Sequence, residues 1–276
     1  METLSYTIRK FNRFELKYLI TQEQAAQFRA ALGAYLLPDE HSHDDGRYTL
    51  ASLYYDSPDL RCYWEKVDGV KFRRKLRIRR YENGDPLTDE TPVFVEIKQR
   101  VARVTQKRRV VLPYGQALRL CNDRQIPDHA PGERATVEEI YAFVWQYNLR
   151  PASIVRYARQ AFVGTNYDIG LRVTFDTALT AQASPLHLHE PPAGVPMLGA
   201  HWVVMEIKVN ERIPYWLSEL VAAHNLQITH ISKYCRSIEA TGDAPRGSHV
   251  AAEWSQDVLA SSYSVFHPAE LVEIRR

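Results

Sequence analysis

Lys75, Arg77 and Arg79 alternate with Leu76 and Ile78 along one short run of the chain. A β-strand sends successive side chains to opposite faces, so a strand here carries three cations on one side and two aliphatics on the other. The pattern recurs in Arg13-Phe14-Glu15-Leu16-Lys17, Glu96-Ile97-Lys98-Gln99-Arg100, Tyr157-Ala158-Arg159, Leu171-Arg172-Val173-Thr174 and Glu206-Ile207-Lys208-Val209-Asn210. Strands that turn such faces toward one space make it wet, strongly positive and suited to a polyanion. Guanidinium groups grip phosphate oxygens through paired hydrogen bonds.

The charge distribution agrees with a site rather than a coat. The net charge of the 276 residues is only +2, yet Lys71 to Arg109 holds thirteen Lys or Arg against five Asp or Glu. Basic charge concentrated within a near-neutral chain argues against a generic nucleic-acid binder. Cys62, Cys121 and Cys235 are widely spaced and odd in number, which fits idle thiols in a reducing cytoplasm. The first twenty residues lack the apolar core of a signal peptide, and no run is long and apolar enough for a membrane span. A cytoplasmic location is expected.

The elements that must position these faces are legible in part. A strand over residues 11–20 leads into a helix opened by a Thr21-x-x-Gln24 capping box. Residues 48–56, 70–81, 93–100, 104–112, 151–163, 171–176 and 202–210 read as strands, with Asp68-Gly69 as a hairpin turn and Asn83-Gly84 as a second turn. Residues 133–147 have helical spacing, with Val137, Ile140, Tyr141, Val144 and Trp145 on the apolar face. Residues 214–224 and 232–240 read as helices, and 181–200 as a Pro-, Gly- and His-rich loop. Tyr54, Trp64 and Phe72 are expected in the core, with Tyr54 or Tyr55 also placed to meet a nucleotide base. Together these predict an α+β fold: an antiparallel closed β-barrel of about eight strands, forming a tunnel, with helical excursions packed outside. One domain over residues 8–241 is expected, followed by a tail at 242–276 that carries one helix or is partly disordered.

The ordered series Arg13-x-Glu15-x-Lys17, Ser52-Leu53-Tyr54-Tyr55-Asp56, Lys75 to Arg79, Phe94-Val95-Glu96-Ile97-Lys98, Tyr157 to Phe162, Arg172 to Asp176, Met205 to Lys208 and Ser232-Lys233-Tyr234 resembles the VTC domain. That is the polyphosphate polymerase domain of the triphosphate tunnel metalloenzyme, or CYTH-like, superfamily. The resemblance implies a tunnel that binds ATP, polyphosphate and a divalent metal, Mn²⁺ or Mg²⁺. Motif by motif, it implies catalytic roles for Arg77, Arg79, Lys98 and Arg159. It implies substrate binding by Lys17, Lys107, Arg172, Ser232, Lys233 and Tyr54, and metal binding by Glu206. Lys107 lies in a Lys107-Arg108-Arg109 run that permits a shift of register. Two positions depart from the pattern: Arg13 stands where the superfamily commonly has Glu, and His230-Ile231 stands where eukaryotic polymerases have a lysine. The first departure favours transfer over hydrolysis.

The activity so implied is transfer of the γ-phosphate of ATP onto a polyphosphate chain, with release of ADP. The alternatives are a tunnel triphosphatase, a non-catalytic polyphosphate-binding module and, with its charge on an open face, a nucleic-acid binder. Structural readings of the same residues compete. Arg77 and Arg79 could form a solvated face, Lys98 and Glu96 a surface ion pair, and Glu206 a structural salt bridge; Arg13 and Glu15 could be mainly structural. Arg74, Arg80, Arg100, Arg108 and Arg156 are expected to face outward. His187-x-His189, with His201 nearby, reads as a solvated loop rather than a metal pair.

Overall fold

The alternating runs become strands because one face of each finds apolar cover while the other keeps its charges wet. The computed structural model describes residues 13–39, 46–82, 84–102, 104–165, 168–190, 193–210 and 212–243. Its strands are β1 (Arg13–Thr21), β2 (Leu36–Pro38), β3 (Arg47–Asp56), β4 (Phe72–Glu82), β5 (Pro92–Val101), β6 (Val104–Pro113), β7 (Arg150–Gly164), β8 (Arg172–Gln182), β9 (Val195–Pro196) and β10 (Trp202–Asn210). They form one antiparallel sheet in the order β1-β10-β8-β7-β3-β4-β5-β6, with β2 continuing along β7 and β9 along β8. The helices are α1 (Gln22–Leu32), α2 (Arg61–Val67), α3 (Tyr114–Leu118), α4 (Arg134–Gln146), α5 (Tyr215–Ala223) and α6 (Lys233–Ala240). None of them is long and apolar enough to cross a membrane.

Two apolar clusters fix which face of the sheet is which. Tyr18, Ile20, Val173, Phe175, Met205 and Ile207 pack with Ala25, Phe28 and Leu32 of α1 and Leu217 of α5. Leu53, Tyr55, Leu76, Ile78, Val95 and Ile97 join Val137, Ile140, Phe143 and Val144 of α4 in the larger cluster. That cluster also takes in Tyr234, Cys235 and Ile238 of α6. A one-residue slip in any of these strands would bury its cations and expose its aliphatics, so the register is strongly specified. The Thr21–Gln24 capping box forms as the sequence predicts and turns β1 sharply into α1.

The sheet curls but is not a closed barrel. Among the described residues no ladder joins the two edge strands, β1 and β6. Instead Lys98 of β5 reaches Glu15 of β1, with Nζ to Oε2 at 2.5 Å, across a seam that has no backbone hydrogen bonds. The expected removal of edges by closure therefore does not occur. The β6 edge carries Lys107, Arg108 and Arg109, charges that discourage pairing with another chain.

Other expectations are corrected. Asp68-Gly69 ends α2 rather than joining two strands; Gly69 has a φ of +70°, the left-handed conformation that glycine adopts without strain. Gly84 has a φ of +91° at the second turn, and Asn83 lies outside the described residues. Phe143 takes the buried place on α4 expected for Trp145, which is 55% exposed. Phe72 is 46% exposed because it lies at the start of β4, beyond the helical cover. β8 runs on to Gln182, and the loop over 181–200 contains β9. All three cysteines are free and buried. The tail from residue 244, with its expected helix or disorder, lies outside the described residues.

One buried carboxylate ties α2 and α6 to β3. Asp56 Oδ1 accepts from the backbone N–H of Ser57 at 2.7 Å and of Cys62 at 2.8 Å, and Oδ2 accepts from that of Tyr63 at 3.0 Å. The Tyr234 hydroxyl donates to the same Oδ2. Asp56 thereby caps α2 from outside and fixes the first turn of α6. Asp56→Ala strands three backbone donors and a phenol, and is expected to cost about 3–5 kcal/mol. Tyr234→Phe removes one bond and is expected to cost about 1–2 kcal/mol. Urea unfolding of both variants checks the ranking.

Candidate functional site

Because the sheet curls, the basic faces meet around a cavity of about 490 Å³. β1 contributes Glu15 and Lys17; β3 contributes Tyr54; β4 contributes Arg73, Lys75, Arg77 and Arg79. Lys98 and Arg100 come from β5, Tyr157 and Arg159 from β7, and Glu206 and Lys208 from β10. Ser232, Lys233 and Tyr234 at the start of α6 close one side. Of the residues expected at the site, Lys17, Tyr54, Arg77, Arg79, Lys98, Arg159, Glu206, Ser232 and Lys233 all line this cavity.

Two do not. Lys107 shares the inward face with Lys98, directly opposite it, which settles the register of the Lys107-Arg108-Arg109 run. Its Nζ goes to Glu96 Oε1 at 3.1 Å behind the cavity wall. Arg172 turns away from the cavity, donating from Nη2 to Asp39 Oδ2 at 2.6 Å and to Tyr48 Oη at 2.8 Å. A carboxylate at the end of β2 competes successfully for it.

Arg74, Arg80, Arg108 and Arg156 lie on the outer face, as their parity requires. Arg156 is nevertheless buried, held by Gln182 and by the Glu190 carbonyl. Arg100 is a correction, since its even position on β5 aims it into the cavity with Lys98. The side chain of Arg13 lies outside the described part of the structure. His189 packs edge-on against Tyr114 and His201 lies beside Trp202, each in a loop.

Four carboxylates organise the cations. Glu96, only 2% exposed, takes Arg77 Nε at 2.8 Å and Nη2 at 2.6 Å on one oxygen and Lys107 on the other. Asp176 accepts a two-pronged contact from Arg159 at 2.6 and 2.7 Å, and Lys233 at 2.6 Å. Glu206 is surrounded by Lys233 at 2.8 Å, Lys208 at 3.0 Å, Lys17 at 3.4 Å and Arg159 at 3.8 Å. Glu15 holds Lys98 at 2.5 Å and Lys17 at 3.5 Å. The competing reading of a Glu96–Lys98 surface pair is thus replaced by two different pairs, both turned inward.

The protonation behaviour follows from this arrangement. Burial would raise the Glu206 carboxyl, but Lys208, Lys233, Lys17 and Arg159 hold it well below the ordinary range. Burial likewise works against ionisation of Glu96, and Arg77, Arg79 and Lys107 overcome it. Burial brings Lys208 down to about 8 despite Glu206 and Glu15. Tyr54 is opposite in sign: burial favours the neutral phenol, yet Arg77 and Arg79 outweigh it and bring the group down to about 8. Arg77 Nη1 donates to the Tyr54 oxygen at 3.0 Å, which stabilises the phenolate.

Lys75, Lys208, Tyr157, Lys66 and Arg73 join the site although the motif reading assigned them no role. Lys75, Arg73 and Lys208 obey the same alternation as their neighbours, so their placement was readable. Lys66 comes from the last turn of α2 and carries no such signal. Lys75 Nζ donates to Ser232 Oγ at 2.9 Å, and Ser232 also caps α6, accepting from the Cys235 N–H at 3.3 Å. The helix start, with its unpaired backbone N–H groups, is thereby held against the cavity.

Among the described residues no three His, Cys, Asp or Glu side chains group as a metal cage. Glu206 and Glu15, bridged by Lys17, are hard oxygen donors facing one space. That set fits Mg²⁺ or Mn²⁺ only as an ion whose other ligands are phosphate oxygens and water.

Binding a polyanion favours protonated Tyr54 and Lys208, so binding takes up protons above about pH 8. Metal-free tripolyphosphate affinity is expected to fall about tenfold or more between pH 7 and pH 9, and Tyr54→Phe to make the fall shallower. Calorimetric titration across that range checks both.

A candidate adenylate cyclase from Bacillus halodurans superposes with a TM-score of 0.45 at 12% identity, covering 80% of this chain and 95% of its own. A candidate adenylyl cyclase from Hippeastrum, described with a dominant triphosphatase activity, gives 0.47 at 14% identity, covering 82% and 94%. A Vibrio parahaemolyticus candidate adenylate cyclase gives 0.41 at 12% identity, covering 83% and 98%. No protein of curated function matches. The family model for the VTC domain matches residues 12–241, which span the whole curled sheet and α6, and the chain belongs to the VTC domain family.

Proposed function

We propose that the chain is an ATP-dependent polyphosphate polymerase, moving the γ-phosphoryl group of ATP onto the end of a polyphosphate chain. The observation that carries this reading is the cation excess of the enclosed site. Eleven ammonium or guanidinium groups line the cavity against two carboxylates: Lys17, Lys66, Arg73, Lys75, Arg77, Arg79, Lys98, Arg100, Arg159, Lys208 and Lys233 against Glu15 and Glu206. Surplus charge crowded into one cavity is costly unless an anion of several charges neutralises it.

In this reading Arg77, Arg79 and Arg159 spread the charge that develops on the transferring group, and Lys17, Lys98, Ser232 and Lys233 hold the flanking phosphates. An oxygen of the acceptor chain attacks the γ-phosphorus, and the bond from that phosphorus to the β,γ-bridging oxygen breaks. The electron pair leaves on ADP. The acceptor oxygen is already ionised, so no general base is required. Glu15 and Glu206 are held ionised by lysines and make weak bases for activating water, which supports transfer over hydrolysis. A divalent ion bound at Glu206 would neutralise phosphate charge.

Incubation with ATP and Mn²⁺ or Mg²⁺, with products resolved by length on a gel, tests the reading. A ladder of long chains with ADP release is expected. Orthophosphate alone turns the reading into a triphosphatase, and binding without turnover into a non-catalytic module.

Arg79→Ala is expected to lower turnover about 10²- to 10³-fold. Arg77→Ala also strands buried Glu96, so its loss is to be read beside Arg77→Ala/Glu96→Ala, which removes the unpaired charge. Glu206→Gln frees the surrounding cations. It is expected to tighten metal-free tripolyphosphate binding about tenfold and to weaken the metal response of turnover. An unchanged metal response removes Glu206 from the ion's site.

A further inference from the structure

A second cavity, of about 180 Å³, opens beside the basic one and shares Lys66, His230, Ile231 and Ser232 with it. Its chemistry is different. Leu19, Val67, Leu198 and Ile231 give it apolar walls, and Cys235 presents a thiol at the first turn of α6. Its polar rim is Arg236 and Glu239, one turn apart on α6, and these neutralise each other, Nη1 to Oε2 at 2.9 Å. Arg236 Nη2 is further tied to the Met197 carbonyl at 3.3 Å. No hydrogen bond among the described residues occupies the other Glu239 oxygen.

We propose that this annexe receives the nucleobase of the nucleoside triphosphate whose phosphates lie in the basic cavity. The inference rests on the reading of that cavity as a triphosphate site. Four observations support it. The two cavities are adjacent and share Lys66, His230, Ile231 and Ser232, the last of which caps α6 and binds Lys75, so the two ends of one ligand would lie on either side of this short border. The charge falls at that junction from strongly basic to weakly basic, with Lys66 beside the neutralised Arg236–Glu239 pair, and a nucleotide likewise loses charge from phosphate to base. The volume is below the ~300 Å³ of pockets for drug-sized ligands and suits one flat ring system. The free oxygen of Glu239 is an acceptor for an exocyclic amine.

The annexe would give the tunnel a direction. A polyphosphate chain has no base to place there, so the donor nucleotide takes the α6 side of the cavity and the acceptor chain the other. This supplies a means of telling ATP from a chain end, which the phosphate contacts alone do not.

The test compares ATP with tripolyphosphate, each titrated calorimetrically into the metal-free full chain. Leu198→Trp fills the annexe from a partly exposed loop, and Leu198 is not among the residues that line the basic cavity. It is expected to weaken ATP binding about tenfold while leaving tripolyphosphate within about twofold of wild type. Retained tripolyphosphate binding also shows that the variant is folded. If Leu198→Trp does not fold, Val67→Phe, which narrows the same annexe from α2, is read by the same ratio. Equal affinities of variant and wild type for ATP, or equal losses for both ligands, overturn the inference. Wild-type protein that binds neither ligand defeats instead the underlying reading of the basic cavity.

Discussion

Like charges crowded into a curled sheet are the constraint on which the rest of this structure depends. Lys75 stands directly opposite Lys98, and Lys98 directly opposite Lys107, across adjacent strands. Such pairs are unfavourable unless something separates them. The solution is to draw each cation toward a partner on another element, a carboxylate for two of them and a hydroxyl for the third. Lys98 goes across the seam to Glu15, Lys107 goes back to Glu96, and Lys75 turns to Ser232 beneath the Tyr234 ring. The carboxylates therefore serve as spacers as much as partners. Each joins elements that share no backbone ladder or reinforces one that exists: Glu206 between β1, β7 and α6, Asp176 between β7 and α6.

The helix at the rim links stability to the site. Tyr234 enters the apolar cluster and binds Asp56, while its neighbour Lys233 projects into the ionic network. Ser232 caps the helix and fixes Lys75. Three consecutive residues thus do three different jobs, and a shift of α6 by a fraction of a turn would disturb all of them. Asp56 does not line the cavity, yet through Tyr234 it sets where that helix begins. Burial of Tyr234 drives its phenol strongly upward, and the bond to Asp56 adds to that, so it stays a neutral donor at any working pH.

Much of the fold and site was legible because both rest on the same period of two. The parity of Lys75, Arg77 and Arg79, of Lys98, of Arg159 and of Glu206 predicts the inward face, and the structure places each on it. The Thr21–Gln24 box is readable from local spacing, and so is the apolar face of α4 apart from Trp145, whose buried place Phe143 takes. Parity fails where a rival partner lies out of sight in sequence. Arg172 has the right face but is captured by Asp39, 133 residues away. Arg100 was assigned outward from its charge run, although its spacing from Lys98 pointed inward. Lys66 reaches the cavity from a helix end, and no strand pattern announces it. Closure could not be read at all, because whether two edge strands pair is decided by curvature and not by the composition of either edge.

The position of β1 has a consequence for how the chain comes to be folded. Among the described residues its one ladder is to β10, with a single further bridge from Tyr18 to Ile228, so residues 13–21 must wait for residues 202–210 and beyond. The pairings β3–β4, β4–β5 and β5–β6 are near neighbours along the chain and can form early. Loop-closure entropy makes the β1–β10 pairing late. During synthesis the first strand, its helix α1 and the apolar surface of both would emerge long before their cover. Glu206 and Lys233, two centres of the ionic network, are made last. The half of the sheet from β3 to β7 can form first as an open basic trough, and β10, β1 and α6 then turn that exposed surface into the wall of a cavity.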